Sequence, residues 1–242
     1  MINILFDVDD TLYDQLIPFK DAYHEVFDQY QYNCSIELLF VKSRYYSDEV
    51  FELVNAGKMT KTDMHIYRIS KAFESLGIQI KREDAFLFQS IYESNQKKIV
   101  LHPEMKEVLH FAKCLGINMG VITNGPTSHQ ESKIAQLLLT NWIKEENIFI
   151  SGKVGISKPS QKIFSYVQEK MGIIPENSYY IGDSYMNDVV GAKKAGWKSI
   201  WVNRRNHPIS NEMEYNPDYI MDAFNSPTSI LKKILIKNSI KL

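Results

Sequence analysis

Five short, mostly apolar runs constrain this chain more than any other feature. They are Ile4-Leu5-Phe6, Ile117 to Ile122, Ile148-Phe149-Ile150, Tyr179-Tyr180-Ile181 and Ser199 to Val202. Runs this short and apolar suit strands buried on both faces. Helical patterns separate the last four, and strands alternating with helices at such spacings imply a parallel sheet with right-handed crossovers. The expected fold class is α/β.

A different pattern interrupts the chain after the first run. Phe19, Ala22, Tyr23, Val26, Phe27 and Tyr30 recur at helical spacing, and Ser35 is placed to cap a second helix carrying Leu38, Leu39, Val41 and Tyr45. A third helix starts at Thr60 or Thr62, and a fourth runs from Arg82 through Phe86, Phe88, Ile91 and Tyr92. The expected organisation is an inserted all-helical cap domain at 15–95, within a core made of 1–14 and 96–242. The Tyr and Phe stripes read as the core of this insert, with Tyr45 and Tyr46 among them.

With 242 residues, the chain is long enough for one large domain or a core with a smaller insert. A net charge of −1 carries no basic field of the kind that binds nucleic acid. The N-terminus shows no signal-peptide pattern, and no run reaches membrane-spanning length. Cys34 and Cys114 sit in separate apolar contexts and read as two buried thiols in a reduced, cytoplasmic setting. The lysine-rich tail places Ile230, Leu231, Ile234 and Leu235 on one face, as a last helix packed on the sheet would.

The chemistry lies just past the strand ends. Asp7, Asp9, Asp10 and Asp14 crowd the end of the first. Carboxylates this close repel unless a cation, a proton or aimed N–H groups hold them, and hard divalent cations prefer such ligands. Thr123-Asn124-Gly125 comes after the second strand, Lys158-Pro159 lies beyond the third, and Gly182-Asp183-Ser184 with Asn187-Asp188 comes after the fourth. In a parallel sheet all strand carboxyl ends share one rim, so these groups should gather there. Several carboxylates, a hydroxyl, a lysine and backbone N–H groups suit an anionic, oxygen-rich substrate, phosphate above all.

Those four motifs, in this order and across nearly the whole chain, resemble the haloacid dehalogenase-like (HAD) hydrolase superfamily, in its subfamily I with a helical cap inserted after the first strand. The resemblance implies a Rossmann-like sheet with strand order 5-4-1-2-3 and magnesium as cofactor. It implies that Asp7 is the nucleophile and a magnesium ligand. Asp9 becomes the general acid/base, with its backbone carbonyl on the metal. Thr123 holds the phosphoryl oxygens, and Lys158 neutralises Asp7 and the phosphate. Asp183 completes the metal site with Asp188, which orients a metal-bound water or Lys158. Asp10, Asn124 and Gly125 fall on the substrate side.

Within that family the motifs most resemble the nucleotidase-like and broad phosphatase members. The expected activity is magnesium-dependent hydrolysis of a small phosphorylated metabolite, a nucleoside monophosphate or sugar phosphate, by a monomer or homodimer. A phosphomutase or phosphotransferase is the alternative that the core motifs share. A haloacid dehalogenase fits less well, because that branch lacks the acid/base aspartate that Asp9 supplies. A non-catalytic binding module is disfavoured by the intact Asp7, Asp9, Lys158 and Asp183.

Overall fold

The computed structural model describes residues 2–205, 208, 214–222 and 226–239. The chain divides into two compact units, one made of Met1–Asp14 with Val100–Leu242, the other of Gln15–Ile99.

The first unit is built on a six-stranded parallel sheet. Strand β1 spans Asn3–Phe6, and its Ile4, Leu5 and Phe6 are fully buried. Burying side chains of this size contributes about 1.5–3 kcal/mol each. The others are β2 (Asn118–Thr123), β3 (Ile148–Ile150), β4 (Ser178–Gly182), β5 (Lys198–Val202) and β6 (Tyr219–Met221). Their order is β3-β2-β1-β4-β5-β6. This differs from the expected 5-4-1-2-3 by the presence of β6, which pairs in parallel with β5 through Ile200↔Tyr219 to Val202↔Met221. Three residues are too few to show a strand period, so only the partner strand makes this one. β1 lies between β2 and β4, in register Phe6↔Val121 and Phe6↔Ile181.

The second unit is helical. Its elements are α1 (Leu16–Phe27), α2 (Ile36–Glu49), α3 (Phe51–Asn55), α4 (Lys61–Glu74) and α5 (Arg82–Gln96). Ser35 and Thr60 cap α2 and α4, accepting the backbone N–H of Leu38 and Asp63. Phe19 sits edge-on to Phe40, Phe88 and Tyr92 with centroids 5.2, 4.9 and 5.6 Å away, in the geometry that aromatic quadrupoles favour. The stripes are therefore the core of this unit, with corrections at their margins. Tyr45 is 62% exposed, and Phe86, Leu38 and Val41 also face solvent. The helical period carries each of them off the buried face.

In the first unit the sheet is covered by α6 (Pro103–Cys114), α7 (Thr127–Gln136), α8 (Ser151–Val154), α9 (Gln161–Met171), α10 (Gly191–Lys194) and α11 (Pro227–Ser239). Pro103 opens α6, where its missing N–H costs nothing. Ile230, Leu231 and Ile234 of α11 are buried, and the helix packs on α6 and β6. The cysteines are not the expected buried pair: Cys114 is exposed and Cys34 half-buried, both as free thiols. No helix among the described residues is long and apolar enough to cross a membrane.

Candidate active site

The carboxyl ends of β1, β2 and β4 are neighbours in the sheet, and the loops leaving them bring the polar groups together. Just past β1, the Asp7 N–H donates to the Ile181 carbonyl at 2.8 Å, so the ladder fixes the backbone that carries the first carboxylate. Asp10 then takes φ 56°, a left-handed turn that Asp tolerates, and Leu12 N–H closes onto the Val8 carbonyl at 3.0 Å. Beyond β4, a π-helical turn spans Tyr185–Val190. Turns of this kind concentrate at functional sites because they re-aim a side chain. Here the turn aims Asp188, whose Oδ2 accepts the Ser184 N–H at 2.9 Å. The Trp201 indole N–H donates to the Asp183 carbonyl at 2.8 Å and steadies the same loop.

Lys158 is the hub. Its buried ammonium donates to Asp7 Oδ1 at 2.7 Å, to Asp188 Oδ1 at 2.6 Å and to the Tyr180 hydroxyl at 2.8 Å, which uses all three of its protons. Tyr180 passes its own proton to the Ile122 carbonyl at 2.5 Å. The Asn124 side chain donates to the Lys158 carbonyl and accepts the Lys158 N–H, both at 2.9 Å. Its amide therefore braces the Lys158 loop. The Gly125 N–H is taken by Ser151 Oγ at 2.9 Å. Thr123 Oγ1 is fully buried and has no hydrogen-bond partner among the described residues.

One carboxylate oxygen from each of Asp7, Asp183 and Asp188 lies within 4.8 Å of the others. Burial and the neighbouring Asp188 and Asp9 charges push the Asp7 carboxyl up to about 7, although Lys158 opposes this. Asp183 is raised for the same reasons, burial first. Asp9 goes the other way. Burial would raise it, but Lys133 at 2.6 and 2.8 Å, with Tyr13 and Gln130, holds it well below the usual carboxylate range.

The sequence comparison decides the family. Residues 4–202 match the model of the family described as haloacid dehalogenase-like hydrolase. The chain belongs to the haloacid dehalogenase-like hydrolase family. Among curated members it is 25% identical over 241 residues to the glyceraldehyde 3-phosphate phosphatase of Methanocaldococcus jannaschii, covering 96% of this chain and 97% of that one. It is 32% identical over 123 residues to the phosphoserine phosphatase of Thermus thermophilus, a match spanning 51% of this chain and only 48% of that relative. Among solved structures, the HAD-hydrolase YfnB from Bacillus subtilis shares the fold with a TM-score of 0.70 at 22% identity, covering 96% and 98% of the two chains.

Members of the haloacid dehalogenase-like hydrolase family are generally metal-dependent when they act as phosphatases, and the donor set here fits a hard cation. Four carboxylates, Asp7, Asp9, Asp183 and Asp188, face two ammonium groups, Lys158 and Lys133. One divalent cation balances the remainder.

Several polar residues of the site escape a sequence reading. Lys133 and Gln130 lie on α7, among polar residues that by type belong on a solvated face. Arg205 donates to Asp10 Oδ1 at 2.6 Å and Asp14 Oδ1 at 2.9 Å, and Arg204 pairs with Glu104. These two arginines, Asp10, Asp14, Asp183, Val202 and His102 line a cavity of about 90 Å³ in the first unit. Asp10 is thus committed to an arginine at that cavity's wall.

Proposed function

We propose that this protein is a magnesium-dependent phosphatase that hydrolyses a small phosphorylated metabolite through an aspartyl-phosphate on Asp7. The observation that carries the reading is the Lys158 ammonium bound to both Asp7 and Asp188, with Asp183 completing a carboxylate trio and Thr123 Oγ1, at the end of the adjacent strand, buried without a partner among the described residues. An unpartnered buried hydroxyl costs about 1–3 kcal/mol, which a phosphoryl oxygen accepting from it would recover.

The Asp7, Asp183 and Asp188 carboxylates and the Asp9 backbone carbonyl would hold the ion. When bound, magnesium polarises the phosphoryl group and offsets its repulsion from an anionic nucleophile. The remaining roles belong to the chain. An Asp7 oxygen attacks phosphorus, and the bond to the ester oxygen breaks. Asp9, which the structure holds as a carboxylate, must first take up a proton, and it then delivers that proton to the leaving oxygen. In the second half, Asp9 takes a proton from a water that attacks the acyl phosphate, releasing inorganic phosphate and restoring Asp7. Lys158 neutralises charge on Asp7 throughout, and Thr123 with the Asn124 N–H binds the phosphoryl oxygens.

The helical unit at 15–99 is read as the cap that selects substrate. Relatives named for glyceraldehyde 3-phosphate and phosphoserine support a compact phosphate monoester. Sugar phosphates fall in that class. So do nucleoside monophosphates.

The deciding experiment assays the purified protein against a panel of phosphorylated metabolites, with haloacids as controls. Phosphate released from particular esters, only with a divalent cation, supports the reading. Halide release, isomerised product without phosphate, or silence across the panel would overturn it.

A further inference from the structure

Four hydrogen bonds converge on one carboxylate. Lys133 Nζ donates to Asp9 Oδ1 at 2.6 Å and to Oδ2 at 2.8 Å, Gln130 Nε2 donates to Oδ2 at 2.8 Å, and the Tyr13 hydroxyl donates to Oδ1. Each oxygen therefore accepts two bonds, and the four lone-pair directions of a carboxylate are filled. Lys133 and Gln130 are three residues apart on α7, so one helix face presents both. Both are buried, with Lys133 only 5% exposed.

Stability alone gives no reason for this arrangement. A buried ion pair is often no more stabilising than apolar side chains of the same volume. Lys133 has Asp9 as its one ion-pair partner among the described residues. Gln130 also donates to the Asn124 carbonyl at 3.0 Å, tying Asp9 to the loop after β2. A Cβ added to Gly125, which holds φ 148°, would lie 2.8 Å from that same Gln130 nitrogen, so the loop is shaped around this side chain.

We propose that Lys133 and Gln130 are positioning residues for the reaction, fixing the Asp9 carboxylate where it meets the ester oxygen. The inference rests on the phosphatase reading and deepens it. Tyr13 is the third donor, and its hydroxyl can swing about the ring bond. It is the bond that yields when substrate arrives, freeing the Oδ1 position at which Asp9 takes up the proton it donates, while the two α7 side chains keep the carboxyl aimed.

A group that aims a proton donor matters in proportion to how much the leaving oxygen needs the proton. The test is therefore a series of substituted phenyl phosphates in excess magnesium, read as kcat/KM, which reports transfer to Asp7. Lys133→Met should lose at least about tenfold more on phenyl phosphate than on p-nitrophenyl phosphate. Gln130→Met should shift the same way by less. Asp9→Asn should reproduce the steeper dependence, and adding Lys133→Met to it should change little further, because residues acting through one another are not additive.

Equal losses on both esters, with thermal unfolding unchanged, would overturn the inference, as would a full Lys133→Met effect in the Asp9→Asn background. Should Lys133→Met fail to fold, Gln130→Met carries the same comparison, and an unaltered leaving-group dependence there also overturns it. A wild-type protein that releases phosphate neither from the aryl esters nor from any member of the metabolite panel overturns the phosphatase reading itself.

Discussion

The Lys158 ammonium lies 2.7 Å from an Asp7 carboxylate oxygen, and 151 residues separate the two along the chain. The pair is buried, and Asp188 shares the lysine at 2.6 Å. Such a pair holds one Asp7 oxygen, while the other takes a long contact from the Thr11 hydroxyl at 3.5 Å, which attack on phosphorus would displace. Asp7→Asn keeps the shape and removes the nucleophile. It should abolish hydrolysis of p-nitrophenyl phosphate, and retention of more than about a tenth of the wild-type rate would reject covalent catalysis through Asp7.

Gly182 is held to its identity by Asp188. A Cβ there would sit 2.3 Å from Asp188 Cγ and Oδ2. Asp188 cannot stay on Lys158 with that atom in place. Gly182→Ala should lower kcat by about a hundredfold or more and destabilise the fold by about 1–3 kcal/mol. Steady-state kinetics and urea unfolding check the two effects separately. Wild-type kinetics in this variant would mean that Asp188 contributes nothing to turnover.

Much of this site was legible because each motif sits where a short apolar run stops. Asp7, Thr123 and Asp183 are each at or just past a strand end, so the sheet converts sequence order into proximity. The α7 side chains were not legible, because a helix pattern is read through its apolar residues. Gln130 and Lys133 lie four and one residues before Ile134 and share its buried face, yet by type they read as solvated. Nor does a motif say how its side chains are spent. Asn124 reads as a substrate residue, whereas its amide is occupied on both sides by the Lys158 backbone. Leu138 follows Ile134 at helical spacing, but the helix ends at Gln136 and Leu138 turns outward at φ 52°.

The carboxylate trio gives a second handle on the metal besides turnover. An ion that binds the folded state alone raises stability by mass action, about 2.7 kcal/mol at a hundredfold excess over its dissociation constant. Chelation should silence phosphate release and lower the unfolding temperature, and added magnesium should restore both. Asp183→Asn should weaken the magnesium-dependent rise in unfolding temperature while leaving the chelated protein folded. Full activity in excess chelator would contradict the assignment.

Asp7 makes the chelated protein's stability depend on pH with a definite sign. Its carboxyl lies at about 7 in the folded state against 3.8 as a free side chain. Between those values the folded state holds a proton that the unfolded chain has released. The resulting stabilisation is fully present below the lower value and is lost as pH rises to the upper one. Asp183, also raised, acts in the same direction. In chelator, the wild type should therefore lose stability as pH rises from about 4 to about 7, and Asp7→Asn should show a shallower fall. Magnesium competes with that proton, so the stabilisation it gives should grow over the same interval. Thermal unfolding of both proteins across this range, with and without magnesium, measures the difference. Parallel profiles for the wild type and Asp7→Asn would show that Asp7 is ionised in the folded protein without help from a cation.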